Sequence, residues 1–432
     1  EHKILINNFS TIPEGCYQPE ELDKLVPDIS LNNTTPLPKV SIKEEDIASI
    51  IYTSGTTGFS KGVVLTHKNL VWDARQCHTI QPVDETYRFL SILPMAHTYE
   101  NTLGLLLPLM FGAQVYYLDR VPTPKLLVPA MQKIRPTVVL SVPLIIEKIY
   151  KSQVLPKFTS SKLMSKLYQF APARKLFNRL AGKKLMETFG GELKFFGIGG
   201  SKLDGTVEQF LREAKFPYAI GYGLTETAPM AAGSNPSQTF LQGVGPVMEG
   251  VQIKINDPDK SGQGEIWIKG PNVMKGYYKR PELTAETFTE DGWFKTGDLG
   301  SFDKKNRLAI RGRIKTMILG ASGENIYPEE IESIINNFRF VNESLVVENS
   351  GKLVAMVHFN MEELEKQYQK LKDQAGNYKE KINDYIEEQK QELRDYVNAR
   401  VNNFSKLQLV LVQHEPFEKT PTHKIKRFLY CK

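Results

Sequence analysis

The 432-residue sequence predicts an α/β fold with a large N-terminal domain and a small α+β C-terminal domain. Apolar runs alternate with helical patterns between Ile47 and about Leu118, which favours parallel α/β subdomains. After Gly233 the pattern changes to short strands separated by turns, and this predicts a small β-rich subdomain over about 234–314. From about Lys315 onward the pattern is typical of a compact α+β unit.

Local patterns define the elements of these domains. Residues 68–76 can form a helix, and short runs of β-branched and aromatic residues predict strands further along the chain. The predicted strands are 50–52, 115–118, 138–140, 252–255, 264–269 and 353–359. With these elements we place the domain boundaries at 1–314 and 315–432.

A charged insertion at about 361–400 has an amphipathic helical pattern. Apolar residues recur at spacings of three and four from Leu364 to Tyr385, which predicts helices with one apolar face. Gly376 and Asn377 would break the pattern into a hairpin. Packing on its own domain is the favoured interpretation, and packing against a partner helix is the alternative.

The start of the chain differs from the rest. Residues 1–48 are rich in Pro and Asn with little periodicity, and they predict a linker or wrapping segment. The chain begins Glu1-His2-Lys3 and continues at once into an apolar run. This beginning is typical of the middle of a protein, so we expect an N-terminal part to be missing here.

Composition excludes several classes of protein. The net charge of +6, from 55 basic and 49 acidic residues, is too small to imply a nucleic-acid partner. Cys16, Cys77 and Cys431 exclude a disulfide framework and favour a reducing compartment. The most apolar run, 103–118, contains Pro108 and is shorter than the ~20 residues that a spanning helix needs. We therefore expect a cytoplasmic protein, with peripheral attachment to the inner membrane surface as a further option.

Residues 157–184 form a basic amphipathic segment. They contain eight basic residues and no acidic one, interleaved with leucines and aromatic residues. Such a segment can lie on an anionic membrane surface. It can equally be a solvated helical face near a polyanionic ligand, and the sequence does not decide between the two.

The strongest chemical signal is the sequence YTSGTTGFSKG at 52–62. Its glycines let backbone N–H groups approach an anion closely, and its hydroxyls and Lys61 supply further donors. This composition predicts a phosphate cradle, although the spacing from Gly55 to Lys61 is not that of a Walker A loop. A simple Ser/Thr/Gly turn would not account for the lysine at this position.

This loop and four later segments resemble the adenylate-forming superfamily, which comprises acyl-CoA synthetases, luciferases and peptide-synthetase adenylation domains. The later segments occur in the family's order, and the resemblance covers residues 50–427. They are GYGLTET at 221–227, DGWFKTGD at 291–298, RGRIK at 311–315 and TPTHKIKR at 420–427. The resemblance implies a large adenylation domain followed by a small mobile domain, and suggests that the first hundred or more residues of the family fold are absent.

The resemblance also implies an ATP site with Mg²⁺ as cofactor. Lys61 and the preceding loop would contact the β- and γ-phosphates, and Glu226 with Thr53 would hold the metal. The implied catalytic residues are Lys424, Glu226, His97 and Lys61. The implied ATP- and AMP-binding residues are Thr53, Ser54, Gly55, Thr56, Thr57, Gly58, Lys61, Gly199, Gly200, Gly221, Tyr222, Gly223, Thr225, Asp298, Arg313 and Lys424.

Individual roles follow from the same resemblance. Gly199-Gly200 and the ring of Tyr222 would sandwich adenine, and Asp298 would accept from both ribose hydroxyls. Arg313 would contact the ribose and phosphate, and Lys424 the α-phosphate and the substrate carboxylate. The alternative for Asp298 is a turn residue. For Glu226 the alternative is a helix cap.

A second half-reaction brings a thiol to the adenylate. In the family the small domain rotates about a hinge, here Lys315, so that Lys424 leaves the site. Ser322 and Gly323 would then lie near the pantetheine of coenzyme A. The alternative for Gly323 is a simple turn.

Several details resemble the long-chain fatty acyl-CoA synthetase branch. His423 precedes Lys424 where most relatives carry glycine, and LPMAHTYE at 93–100 matches a segment of that branch. His97 would lie at the carboxylate end of an acyl pocket, and the alternative is a capping or core histidine. No acidic residue suited to an α-amino group is apparent around His97, so an amino-acid substrate is not expected.

The resemblance thus implies a ligase that joins a medium- to long-chain fatty acid to CoA with ATP. Ser201-Lys202 and Leu319 depart from the residues common in the family, which affects the expected pocket shape and thiol contacts. One alternative is a ligase that passes the acyl group to a carrier-protein thiol. A second is a non-catalytic module that binds nucleotide or acyl groups. The sequence does not indicate the preferred length of the acyl chain or the oligomeric state of the protein.

Overall fold

The structure is a computed structural model. It describes residues 3–4, 16–17, 41–54, 60–118, 122–159, 161–320, 324–371, 378–419 and 425–431. The chain divides into two compact units, Glu1–Lys43 and Glu44–Lys432. In the first unit, two short strands pair in parallel. All other elements belong to the second unit.

Twenty strands occur within the described residues. In chain order they are β1 (Lys3–Ile4), β2 (Cys16–Tyr17), β3 (Ile47–Ser54), β4 (Ser60–Thr66), β5 (Arg88–Ser91), β6 (Gln114–Tyr117), β7 (Val138–Ser141), β8 (Phe195–Ile198), β9 (Tyr218–Gly223), β10 (Met230–Gly233), β11 (Gln252–Asn256), β12 (Gly264–Lys269), β13 (Gly276–Tyr277), β14 (Phe294–Phe302), β15 (Leu308–Arg313), β16 (Ile318–Leu319), β17 (Asn325–Ile326), β18 (Val341–Asn349), β19 (Lys352–Phe359) and β20 (Leu409–Val412). Each of the six predicted strands overlaps one of them.

Twelve α-helices accompany the strands in the described part of the chain, and prolines begin four of them, where a missing N–H costs nothing. In chain order they are α1 (His67–Ile80), α2 (Leu107–Met110), α3 (Pro124–Ile134), α4 (Pro143–Ile149), α5 (Leu155–Thr159), α6 (Lys162–Gln169), α7 (Ala171–Thr188), α8 (Gly205–Glu213), α9 (Pro281–Thr287), α10 (Pro328–Asn336), α11 (Met361–Leu371) and α12 (Tyr378–Asn398). The predicted helix 68–76 is confirmed as the centre of α1. None of the described helices is both long and apolar enough to cross a membrane.

A six-stranded sheet is the centre of the large part of the molecule. Its order is β10-β9-β8-β7-β5-β6, and all pairs are parallel except β10 with β9. Neighbouring residues of β5 point to opposite faces, so Phe89 packs with α1 while Leu90 packs with α8 and its neighbours. The predicted parallel α/β architecture is confirmed, and both faces of the sheet carry a hydrophobic core.

Two antiparallel sheets follow the change in sequence pattern after Gly233. One has the order β11-β12-β14-β15, and the other, β13-β4-β3, joins a late strand to the hairpin at residues 47–66. The predicted β-rich subdomain is therefore present. Strand β13 is the connection that the local sequence does not reveal, since it pairs with residues more than 200 positions earlier.

The C-terminal part has its own core. Strands β18, β19 and β20 form a mixed sheet, which packs with α10, α11 and α12. Leu364, Leu393 and Val397 from the charged insertion are fully buried in this core. The favoured interpretation of the insertion, packing on its own domain, is confirmed. The predicted break at Gly376 and Asn377 lies outside the described residues.

Candidate active site

The carboxylate of Asp298 is the centre of the first group of site residues. It is only 5% exposed, and it lies on β14 directly opposite Arg313 on β15. The hydroxyl of Tyr222, at the end of β9, donates to Asp298 Oδ2 at 3.0 Å, and Arg313 Nε lies 3.0 Å from Asp298 Oδ1. Asp298 is thus held by residues from two sheets.

Charge and burial explain the titration of this group. Asp298 raises the pKa of the Arg313 guanidinium, because the cation is stabilised by the adjacent carboxylate. Burial, followed by the same negative charge, raises the pKa of Tyr222 well above its usual value. The phenol therefore stays protonated and remains a donor, while Asp298 keeps both oxygens fixed at the wall of the site.

Tyr277 connects a second group of site residues. Its hydroxyl donates to Glu226 Oε1 at 2.9 Å, and the ammonium of Lys61 lies 5.0 Å from the centre of its ring. Burial, and then the nearby charge of Lys315, lowers the pKa of Lys61, whereas Glu226 opposes this shift. Lys61, Glu226 and Lys315 are therefore near enough to influence one another electrostatically.

Sequence reasoning missed Tyr277. It lies on the two-residue strand β13, whose register places it opposite Val63 on β4, two residues from Lys61. Its only local signal is an aromatic pair, Tyr277-Tyr278, which is common in buried strands. The functional contact depends on the pairing of β13 with β4, which no local pattern encodes.

Close backbone approach accounts for two of the predicted glycines. At Gly223 an added Cβ would lie 1.7 Å from the carbonyl oxygen of Pro229, so no side chain can be accommodated. Gly200 adopts φ +86°, a conformation that glycine reaches without strain. The loop after β8 and the turn from β9 to β10 therefore each place a glycine, without a side chain, beside the site.

These groups line one cavity of about 2450 Å³. The cavity also reaches the C-terminal part, where Arg427 and Lys426 contribute to its wall. The predicted site residues that line it are Thr53, Lys61, His97, Gly199, Gly200, Gly221, Tyr222, Gly223, Thr225, Glu226, Asp298, Arg313 and Lys315. Residues that are up to 262 positions apart in sequence, from Thr53 to Lys315, thus meet around a single space.

Part of the cavity wall is apolar and belongs to the protein core. The wall and the core cluster around α1 share a set of side chains that are less than a tenth exposed. They include Cys77, Val83, Phe89, Leu103, Leu107, Val138 and Leu140. The cavity therefore combines a charged region with an apolar region suited to a hydrocarbon.

His97 and Tyr99 also belong to the cavity wall. Both line the cavity, and the ring of Tyr99 approaches Gly199, where an added Cβ would lie 3.4 Å from it. The chain then enters a π-helical stretch, Glu100–Leu106, that leads into α2. His97 thus lines the cavity, and its position at the carboxylate end of an acyl pocket remains a prediction.

Some predicted residues lie outside the described part of the chain. These are Gly55, Thr56, Thr57 and Gly58 of the phosphate loop, the side chain of Ser54, the CoA-site residues Ser322 and Gly323, and Lys424. Their roles remain predictions. The predicted hinge residue Lys315 is described and lies in a short 3-10 helix, Ile314–Thr316, directly after β15.

Residues 2–278 match the model of the AMP-binding enzyme family. This is well over half of the chain. The protein belongs to the AMP-binding enzyme family. The match ends just after Tyr277, so the family segment includes Lys61, Glu226 and the tyrosine that contacts both.

Curated relatives of this AMP-binding enzyme include acyl-CoA synthetases. It is 31% identical over 420 residues to Long chain acyl-CoA synthetase 6, peroxisomal, of Arabidopsis thaliana, with 89% of this chain and 59% of that protein covered. It is 32% identical over 338 residues to Long-chain-fatty-acid–CoA ligase 1 of Saccharomyces cerevisiae, with 72% and 47% covered. The chain thus spans about half to three fifths of the length of these relatives.

Solved structures share the fold of this AMP-binding enzyme. O-succinylbenzoate Coenzyme A Synthetase (MenE) from Bacillus subtilis, in complex with ATP and magnesium ion, has a TM-score of 0.71 and 22% identity, with 99% of this chain and 78% of that chain covered. ATP-bound MatB from Rhodopseudomonas palustris has a TM-score of 0.69 and 23% identity, with 91% and 69% covered. At these identities the likeness shows the fold.

The described residues fit a magnesium ion that binds together with a phosphate ligand. They contain no group of three or more His, Cys, Asp or Glu side chains that could hold a metal alone. Glu226 offers one carboxylate at the cavity wall, and Thr53 also lines it. Mg²⁺ characteristically takes one or two carboxylates and completes its shell with phosphate oxygens and water, so this sparse donor set is appropriate.

Proposed function

We propose that this AMP-binding enzyme activates a medium- to long-chain fatty acid with ATP and transfers it to the thiol of coenzyme A. One observation carries the proposal: the charged group around Asp298 and Glu226 and the apolar wall formed by core residues line the same cavity. A nucleotide and a hydrocarbon chain can therefore meet there. The names of the relatives agree with this substrate class.

The first half-reaction would form an acyl-adenylate. A carboxylate oxygen of the fatty acid attacks the α-phosphorus of ATP, and the bond from that phosphorus to the bridging oxygen breaks to release pyrophosphate. Asp298 would hold the ribose, Lys61 would attract the outer phosphates, and Lys424 would contact the α-phosphate and the carboxylate. Mg²⁺, held by Glu226 and Thr53, would supply positive charge against the phosphate oxygens.

The second half-reaction would use a thiol. The sulfur of CoA attacks the acyl carbon, AMP leaves, and the thiol proton passes to solvent. We propose that residues 1–314 act as the adenylation domain and that 315–432 rotate about Lys315 between the two steps. Ser322 and Gly323 would then contact the pantetheine. The short 3-10 helix Ile314–Thr316, directly after β15, is a connection that could absorb such a rotation.

The test is acid-dependent release of pyrophosphate from ATP, measured with acetate, benzoate, octanoate and palmitate, with and without CoA. We expect release with the two longer acids and an acyl-CoA product. Pyrophosphate release without transfer of the acyl group to a pantetheine thiol such as that of CoA would favour a carrier-protein thiol as the acceptor instead. Binding of ATP without release by any acid would favour a non-catalytic module and contradict the proposal.

A pair of aspartates from one segment provides a matched control. Asp298→Ala should abolish release because the buried carboxylate that holds Tyr222 and Arg313 is lost. Asp291→Ala changes an exposed carboxylate that accepts a local hydrogen bond from the Thr289 hydroxyl, and should leave the rate unchanged. Equal rates in both variants would contradict the placement of the nucleotide beside Asp298.

A further inference from the structure

Helices α6 and α7 expose a combination of apolar and basic side chains that the active site does not use. Five apolar residues are between 40% and 69% exposed: Leu163, Leu167, Phe170, Leu176 and Leu180. Exposed basic residues alternate with them: Lys166, Lys175, Arg179, Lys183 and Lys184. We call these ten residues the basic–apolar face.

Packing explains why this face points outward. Phe177 and Met164 pack against the core on one face of the central sheet. Tyr168 and Phe177 also stack on the ring of Phe158, which is buried in that core. On α7, Gly182 touches Ala214 so closely that an added Cβ would lie 2.6 Å from its carbonyl oxygen. Since both helices turn their inner sides to one core, their other sides face solvent together.

The described part of the chain pairs one basic residue of α7, but not those of this face. Arg174, on the inner side of α7, binds Glu213 through two nitrogens, so it is a structural residue. Within the described residues, none of the five basic side chains of the basic–apolar face forms an ion pair. These exposed charges are therefore available to an anionic partner.

The cavity does not supply that partner. Of the described residues between 157 and 184, none lines the cavity in which the polyanionic nucleotide would bind. The interpretation of this segment as a face near a polyanionic ligand is therefore not supported. Basic residues outside the nucleotide cavity, mixed with exposed leucine and phenylalanine, are the combination that an anionic lipid surface recognises.

We propose that the basic–apolar face docks the protein on an anionic lipid bilayer. The leucines and Phe170 would enter the headgroup boundary while the lysines and Arg179 contact lipid phosphates. Leu155 and Pro156, which begin α5 just before this face, line the cavity. Docking would therefore bring this part of the cavity wall near the membrane in which a long-chain fatty acid partitions. This delivery role rests on the proposed function, whereas the docking does not.

Vesicle flotation with the full-length protein tests the docking. Vesicles of phosphatidylcholine alone should bind little, and vesicles that also contain phosphatidylglycerol should bind strongly at low salt and weakly at high salt. Each basic residue near an anionic surface strengthens binding roughly fivefold, so several together give a large preference. Equal binding to both kinds of vesicle, or none to either, would overturn the proposal.

Charge-reversal variants locate the surface. Lys175→Glu, Arg179→Glu and Lys183→Glu in one protein should weaken binding by at least roughly a hundredfold, since three attractive charges are lost and three repulsive ones are added. The matched control, Lys260→Glu with Lys304→Glu and Lys305→Glu, changes the net charge equally at exposed positions of the β-rich part. Similar losses in both triple variants would mean that only net charge matters, and would overturn the assignment to this face.

Two further measurements separate this proposal from its alternatives. Leu176→Ser with Leu180→Ser should weaken vesicle binding, whereas Leu241→Ser, at another exposed leucine, should not. If light scattering shows a dimer that the double variant dissociates, a second copy covers the face and the proposal fails. Octanoate activation without vesicles should be unchanged in the double variant, so loss of the proposed function and loss of docking remain distinguishable.

Discussion

At the scale of single residues, Tyr277 has a larger role than its sequence context suggests. It is 8% exposed, donates to Glu226, and lies under the Lys61 ammonium. In the proposed mechanism a fixed Glu226 would be a preorganised ligand for Mg²⁺, so part of the electrostatic organisation of the site would depend on a phenol that never needs to touch substrate. We regard Tyr277 as a positioning residue.

Tyr277→Phe tests this role. The ring beneath Lys61 is kept and only the hydrogen bond to Glu226 is lost, which corresponds to about 2 kcal/mol for a charged acceptor. We expect kcat/KM for ATP in acid-dependent pyrophosphate release to fall roughly thirtyfold, with a weaker response to Mg²⁺. Tyr278→Phe, at the 39% exposed neighbour, is the control. Equal kinetics of the two variants would contradict a positioning role.

Glu100 is a second residue whose environment the sequence does not reveal. Its side chain is 2% exposed, Ser91 Oγ donates to its Oε1 at 2.5 Å, and its Oε2 has no partner within the described residues. The absence of a Cβ at Gly104 makes room for it, since that atom would lie 2.5 Å from Oε1. Burial raises the pKa of Glu100 to about 7.

The raised pKa has a predictable effect on stability. The folded protein holds the Glu100 proton up to about pH 7, whereas the unfolded chain releases it near its ordinary value. The contribution to the free energy of unfolding is therefore complete at low pH and is lost as pH rises towards 7, by roughly 3 kcal/mol. Glu100→Gln should flatten this decline, measured by urea unfolding between about pH 5 and 8.

Other carboxylates bear on that measurement. Burial also raises the pKa of Glu147 and Glu332 to about 7, so the variant should reduce the slope and not abolish it. Glu290→Gln, at an exposed position, should leave the slope unchanged. Parallel curves for the natural protein and Glu100→Gln would show that Glu100 is not protonated in the folded state.

At the scale of elements, the loop after β8 contacts α10 of the C-terminal part. Lys202 Nζ lies 2.8 Å from Glu330 Oε1, and Ser333 Oγ lies 3.2 Å from Asp204 Oδ2. Asp204 also caps α8 by accepting from the N–H groups of Thr206 and Val207. One short loop therefore both begins a helix of the large part and contacts the C-terminal part.

This contact should affect the balance of the two half-reactions. If residues 315–432 rotate, breaking the Lys202–Glu330 pair favours the other orientation by less than about 1 kcal/mol, because both side chains are partly exposed. Lys202→Ala should change the ratio of adenylate formation to thioester formation up to about fivefold. Lys68→Ala breaks the 3.0 Å pair with Glu45 within the large part and should not change the ratio. A ratio unaffected by Lys202→Ala would mean that the pair does not select an orientation.

At the scale of the whole molecule, the cavity joins residues from both parts of the chain. Arg313 lies at the end of the large part and Lys315 at the predicted hinge, while Lys426 and Arg427 line the same cavity from the C-terminal part. A site built across such a junction can change its composition when one part moves. Alternation of the two half-reactions at a single cavity is the consequence that we propose.

Lys424→Ala tests this alternation. It should abolish adenylate formation by removing the cation that we propose at the α-phosphate, yet leave thioester formation from a supplied acyl-adenylate largely intact. Rapid-quench assays of each step measure the two effects separately. Lys419→Ala, which removes a nearby cation paired with Glu343, is the control. Equal loss in both steps would contradict domain rotation.

Much of this protein follows from local sequence. The order of five motifs indicates the superfamily, and alternating apolar runs predict the parallel sheet, because side-chain periodicity is a local property of strands and helices. The six predicted strands and the helix at α1 are confirmed for that reason. The eight basic residues of 157–184 are likewise evident without coordinates.

The tertiary structure decided which of those residues meet. The bond from Tyr222 to Asp298 joins residues 76 positions apart, and that from Tyr277 to Glu226 joins residues 51 apart. The structure also distinguishes Arg174, which pairs with Glu213 on the inner side of its helix, from the basic residues that face solvent. Periodicity specifies which side of an element is apolar. Only the packing of distant elements specifies what that side touches, because such contacts form between segments that the local sequence does not connect.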